Sequence, residues 1–290
     1  MISSGASWKF GLVPGALVLT FAVPAFCQGQ TAVSNMPGGN PLTVQDANQM
    51  YREIEEKNLH ATSGDSKEAE AYKAFHNSGS QEPAKRIKLG QDFLTKYPSS
   101  VYNESVYSEL AEIYYARQDV ANFYTAADKA IALNPNDATM LAMDAWVVPR
   151  AYHRDDPFAE GRLDKAEQYA KHAIEILDPL PKPEGMTEQQ FAQFKNEELA
   201  TAHSGLGLIY FRQGKLEESA KELQVATSIA ATPDPTDFYV LGAAHQNLGR
   251  YKDAADAFGR CATVAGPLQQ DCKQNAAFSA KQAQQAAPAK

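Results

Sequence analysis

Apolar and small residues recur along this chain at helical spacing, and in one stretch the pattern is written twice. Leu206, Gly207, Tyr210, Gly214, Leu216, Leu223 and Ala226 are answered 35 positions later by Leu241, Gly242, His245, Gly249, Tyr251, Phe258 and Cys261. In the later copy Leu241, Gly242 and His245 stand at i, i+1 and i+4, on one side of a helix. Gly249 closes that helix, because the residue after a helix end takes a left-handed backbone that only glycine adopts without steric cost. Tyr251, Ala254, Ala255, Phe258 and Cys261 form a second stripe at helical spacing. Gly207, Gly242 and Ala254 are small where helices must approach closely, while Tyr210, Tyr251 and Phe258 fill the space between hairpins. Neither hairpin can bury its stripe alone. The copies must stack, and a period in the mid-thirties predicts a solenoid of helical hairpins, an architecture that usually binds rather than converts.

These units resemble the tetratricopeptide repeat family. Its Leu-Gly-x-x-Tyr motif stands here as Leu206-Gly207-Leu208-Ile209-Tyr210 and as Leu241-Gly242-Ala243-Ala244-His245, and its turn glycine and Ala-x-x-x-Phe as Gly249, Ala254 and Phe258. Two positions depart: His245 replaces the tyrosine, and Ser219 stands where the small alanine is expected, with Ala220 beside it. The resemblance implies an all-α fold, a right-handed superhelix of hairpins closed by a C-terminal capping helix, with first helices lining a concave groove that takes a protein or peptide. The positions facing that groove would be Glu112, Tyr115, Trp146, Arg150, Leu208, Phe211, Arg212, Tyr239, Gln246 and Asn247. Aromatic residues and Arg supply binding energy at interfaces, and an extended peptide or a helix could lie across them, though several of these positions also suit inter-repeat core. The Lys and Asn clamp that some family members use for an acidic C-terminal peptide is missing. Ser108 and Glu112, then Ser204 and Leu208, fill its places, which disfavours an Hsp-type chaperone partner.

Upstream the pattern weakens, so residues 43–186 read as irregular units and 187–284 as the two strong repeats plus the cap. A helix is expected to start after Thr43 and run to Lys57 or Asn58, with Ala47, Met50, Tyr51 and Ile54 on one face, then a loop from His60 to Asp65. Ala69, Tyr72 and Phe75 mark the first helix of unit one. Ala84, Ile87, Phe93 and Leu94 mark its second, ended by Tyr97-Pro98. Asp92 to Ser100 resembles the repeat ends of periplasmic envelope-assembly tetratricopeptide proteins. Unit two carries Tyr107, Leu110, Ala111 and Tyr114, then Phe123, Ala127, Ala130 and Leu133, with Pro135 closing it. Its turn is expected to be looser, and its small-then-large pair is reversed, Phe123 preceding Ala127. Unit three runs near Ala138 to Val148, is interrupted from Pro149 to Gly161, and resumes at Leu163 with Ala166, Ala170, Ala173, Ile174 and Leu177. The inserted loop Tyr152 to Phe158 is either a specificity element or a solvated connection. Thr187 with Gln190 reads as a capping box opening a helix of about seven turns that runs to Phe211. Leu268 to about Gln282 supplies the capping helix, and 285–290 reads as a disordered tail.

The N-terminus changes the setting. Lys9 is the only charge before an apolar run from Phe10 to Phe26, and Ala25 and Cys27 are the small residues a signal peptidase requires. Residues 1–27 therefore read as a cleaved secretory signal, and 28–42, rich in Gly, Ser, Asn, Gln and Pro, as a disordered linker. The rival is a lipoprotein signal with Cys27 acylated, which would bring membrane association, although Phe26 stands where that enzyme prefers a small residue. Export would put the chain in the periplasm or outside the cell, where Cys261 and Cys272 can pair. Such a bond would staple the capping helix to the last repeat, closing a loop of about 12 residues and contributing about 3 kcal/mol. Alternatively, Cys261 is a small buried hydrophobe.

The chain has 290 residues, 44% of them hydrophobic and 21% charged, and a net charge of −8. That balance suits an ordinary soluble protein and argues against nucleic acid and other anionic ligands. No His-Glu-x-x-His helix, Gly-x-Ser-x-Gly elbow or Gly-rich phosphate loop occurs. His60, His76, His153, His172, His203 and His245 lack metal-ligand spacing, and Asp155-Asp156 are adjacent carboxylates without the separation of an acid and a base. No enzyme, metal or cofactor is expected. The sequence reading is a non-catalytic scaffold or adaptor of a bacterial envelope; within the same fold, outer-membrane protein assembly or cell-wall coordination is the alternative. A hydrolase or redox protein using Cys272 or the 149–161 loop is the alternative from another class.

Overall fold

The computed structural model describes residues 66–78 and 82–286. The segments 1–27 and 28–42 and the expected helix over 43–58 lie outside the described residues. Among the described residues the chain forms helices and no strand. In order they are α1 (Ser66–His76), α2 (Pro83–Lys96), α3 (Asn103–Ala116), α4 (Val120–Leu133), α5 (Ala138–Arg150), α6 (Ala159–Leu177), α7 (Glu188–Arg212), α8 (Leu216–Ile229), α9 (Pro235–Asn247), α10 (Tyr251–Thr263) and α11 (Gln269–Ala286). Successive pairs make five hairpins, and α11 packs on α10 as a cap. Between hairpins, α5 lies against α7 and α8 against α9. The result is a solenoid of stacked helical hairpins.

Helix ends follow from local chemistry. Asp119, Asp137 and Asp234 accept backbone N–H bonds from Asn122, Met140 and Thr236 at the starts of α4, α5 and α9. Thr187 and Gln190 form the expected capping box at α7, each side chain satisfying the other's backbone N–H. Three hairpins share one turn. After α7, Gly214 N–H donates to Phe211 O and Lys215 N–H to Tyr210 O; after α9, Gly249 N–H donates to Gln246 O and Arg250 N–H to His245 O. Gly214 and Gly249 take φ of 76° and 74°. After α3 the same bonds run from Gln118 N–H to Tyr115 O and from Asp119 N–H to Tyr114 O, with Gln118 at φ 61°. The turn of the second hairpin is thus not looser. It is the same left-handed closure made by a residue whose Cβ makes it cost about 1 kcal/mol.

Close approach inside each hairpin explains the small residues. A Cβ at Gly207 would lie 2.6 Å from Cγ of Leu223, and one at Gly242 2.8 Å from the Phe258 ring. In the second hairpin the equivalent positions are Ala111 and Ala127, both fully buried. The reversed pair therefore has a physical partner: with Ala at 127 the facing helix has room for a methyl, and the bulk moves to Phe123, also fully buried.

The third hairpin departs from expectation in its bounds. Helix α5 continues through Pro149 to Arg150, and α6 starts at Ala159, four residues ahead of Leu163. Pro149 cannot donate to Ala145 O, and α7 packs closely there: a Cβ at Gly205 would sit 2.5 Å from that carbonyl. Leu133, expected on the buried stripe of α4, is 55% exposed, and Ala126 and Ile131 are buried instead. Helix α11 runs to Ala286, past the expected end of the cap. No helix among the described residues is long and apolar enough to cross a membrane.

Candidate binding surface

Side chains from the first helices of four hairpins meet on one side of the solenoid, and Arg150 is their centre. Its guanidinium lies over the Trp146 indole, 3.8 Å from the ring centroid, and Nη1 donates to Trp146 O at 3.1 Å. Nη2 donates to Ser204 Oγ on α7 at 2.9 Å and to Asp234 Oδ2 and Asp237 Oδ1 on α9, each at 3.0 Å. Ser204 Oγ in turn donates to Asp237 at 2.7 Å. Tyr115, from α3, meets Trp146 edge-on at 5.7 Å. Burial raises Asp237 to about 7, with Asp234 adding and Arg150 and Ser204 opposing; burial likewise raises Tyr115 to about 12.

This arrangement corrects the sequence-based list of groove residues. Arg150 and Trp146 are buried and committed to one another and to α7 and α9, so neither is a free contact. Leu208 and Tyr239 are core: Leu208 is 3% exposed, and Tyr239 packs edge-on against Phe258 at 5.5 Å. Gln246 accepts a bond from Ser279 of α11, so the cap occupies that stretch of the surface. Arg212 donates Nε to Pro149 O at 3.2 Å and lies over the Tyr152 ring, which ties it to the end of α5 and the inserted loop. Glu112, Tyr115 and Phe211 remain half-buried, and Asn247 is exposed with its amide bonded to Ala243 O. The missed feature is Asp234 with Asp237. Asp234-Pro235 reads in sequence only as a helix start, and nothing local says that a cation from 84 residues away will arrive.

The inserted loop is held by its own bonds. Asp156 accepts from Phe158 N–H at 2.9 Å and pairs with Arg162, which keeps its carboxyl below the usual range. Tyr152 donates to Glu160 at 2.6 Å, and Phe158 is left 67% exposed. These partners fix a connection; they do not set an acid against a base. Asp144, on α5, is raised to about 7 by burial, Asp128 adding and Lys165 opposing.

The cysteines lie at the C-terminal end. Cys261 and Cys272 have Cα atoms 5.8 Å apart, within disulfide range, and both side chains are buried. His245 is buried in the tyrosine's place with no partner on Nδ1, and burial lowers its pKa. His203 pairs with Glu222 at 2.6 Å and His76 with Glu109 at 2.8 Å. Among the described residues no three His, Cys, Asp or Glu side chains gather where they could hold a metal ion.

No family model and no curated protein matches the chain. Solved structures do. PilW, described as a widely conserved type IV pilus biogenesis factor, is 17% identical over 74% of this chain and 84% of its own, with a TM-score of 0.51. A thermophilic TPR protein of Thermus thermophilus is 17% identical over 69% of this chain and 92% of its own, at a TM-score of 0.45. At these identities the likeness is one of fold.

Proposed function

We propose that this chain, a tetratricopeptide-type solenoid of helical hairpins, is a non-catalytic scaffold of the bacterial envelope that holds a protein or peptide against its concave side. The observation that carries the reading is what remains on that side once internal contacts are counted. Tyr115 and Phe211 are half-buried, Glu112 and Asn247 border them, and Arg150 ties the surface between them across three hairpins. Half-buried aromatic rings lose little side-chain entropy on binding and contribute binding energy. Cys272, fully buried, is badly placed for redox chemistry or nucleophilic attack, and the bonds of the inserted loop leave no hydrolytic pair there.

Photo-cross-linkers introduced in native cells at Tyr115, Phe211 and Asn247, and for comparison at Lys221 on the far side of the fourth hairpin, test this reading. Adducts to one partner from the first three sites and none from Lys221 are expected; equal yields from all four sinks the concave surface.

Export is inferred from the Lys9 to Cys27 pattern, and with it a Cys261–Cys272 staple that fixes α11 and contributes about 3 kcal/mol. The intact mass of the purified chain, before and after reduction and alkylation, is the check. A chain starting at Gln28 that gains two alkyl groups only after reduction is expected. A lipid on Cys27 would instead favour the second reading, a part in assembling an envelope structure, for which PilW is a precedent in fold alone.

A further inference from the structure

In a repeat solenoid each unit ordinarily touches only its neighbours. Arg150 departs from that rule. It belongs to the third hairpin, yet it bonds to Ser204 in the fourth and to Asp234 and Asp237 in the fifth. Asp234 serves twice, capping α9 with Oδ1 and pairing with Arg150 through Oδ2. Two carboxylates therefore share one cation in a largely buried place: the Arg150 and Asp237 side chains are 9% and 6% exposed, and that of Asp234 17%.

We propose that Arg150, Asp234 and Asp237 form a proton-linked latch, in which the closed concave face is held with one proton on the carboxylate pair and opening that face releases the proton.

The charge count gives the reason. With both carboxylates ionised, the cluster carries one uncompensated negative charge in a buried place; one proton removes it and leaves Arg150 paired. Among the described residues, Arg150 is the one cation that acts on Asp237. From α3 comes Tyr115, neutral across this range; from α5, Trp146; from α7, Ser204; and Arg260 of α10, over the Phe238 ring at 4.2 Å, keeps its charge but is not among the groups that shift Asp237. In the closed face burial holds the Asp237 proton to about 7, whereas an Asp exposed to water loses it near ~3.9. The sign follows: the stabilisation is complete below the ordinary Asp value and is lost as pH rises through about 7. The latch needs no partner and does not rest on the binding reading.

Trp146 is a built-in reporter. The chain has two tryptophans, Trp8 and Trp146, so a Trp8→Phe background leaves only the ring that stacks on Arg150. Emission of the full chain, followed from mildly acidic to mildly alkaline pH, is expected to shift to the red with one midpoint near neutrality. Asp237→Asn, which keeps the shape and is neutral at every pH, should abolish the shift. Asp144→Asn, which removes the other buried carboxyl raised to about 7, should leave it. The carbon resonance of the Asp237 carboxyl should titrate with the same midpoint. A carboxyl that titrates in the ordinary Asp range overturns the latch, as does a shift that persists in Asp237→Asn or disappears in Asp144→Asn.

Discussion

The fourth and fifth hairpins and the third hairpin are held together in opposite ways. In the regular pair the tight contacts lie within a hairpin, Gly207 under Leu223 and Gly242 under Phe258, and the same two contacts recur at the same spacing. In the third hairpin the tight contacts point outward to other units: the Ala145 carbonyl to Gly205, and Arg150 to Ser204, Asp234 and Asp237. Regular units repeat because each solves the same internal packing problem. The irregular unit carries contacts that reach across several units, and such a joint has no reason to repeat.

The sharpest way to break this contrast is Gly205→Ala. The added methyl would press on backbone atoms, Ala145 O at 2.5 Å and Trp146 N at 2.9 Å, which cannot rotate away, so α7 must part from α5. A loss of about 3 kcal/mol in urea unfolding is expected; a cost under about 1 kcal/mol would show that the joint is soft. Next in size is Gly242→Ala, at about 2 kcal/mol, since its obstacle is a side chain. Combined with Phe258→Ala it recreates the Ala111 and Ala127 pairing of the second hairpin. The double variant should lose at least about 1 kcal/mol less than the two single losses added together; additive losses would separate the two positions. Smallest is the turn. Gln118→Gly should stabilise the second hairpin by about 1 kcal/mol and Gly214→Ala should cost about as much, both read from melting temperature. A Gln118→Gly variant no more stable than the parent would mean that contacts of the glutamine side chain offset its backbone strain.

The same contrast explains what could be read in the chain. The hairpins, the turn glycines, the capping box and the small-against-large pairs depend on residues within about one repeat of each other, so helical spacing exposes them. Gln118 hid the third instance of the turn because the signal sought was glycine and the backbone accepted another residue. The groove positions that turn out to be internal were hidden for a different reason. Trp146 and Arg150 were placed by repeat position, and repeat position cannot tell that two carboxylates from a later hairpin will fold over them. Gly205 gave no periodic signal either. Its need for smallness is set by a carbonyl left without a helical donor at Pro149, in another hairpin.

The central claim is that hairpins three to five form one cooperative body because Arg150 and Gly205 bind them across unit boundaries. The most direct test is urea unfolding of the Trp8→Phe chain followed at once by Trp146 fluorescence and by far-ultraviolet circular dichroism. One probe reports the joint and the other all helices. Coincident midpoints and slopes are predicted. A Trp146 transition completed at lower urea, with most of the helical signal intact, would contradict the account and leave the hairpins as independent neighbours.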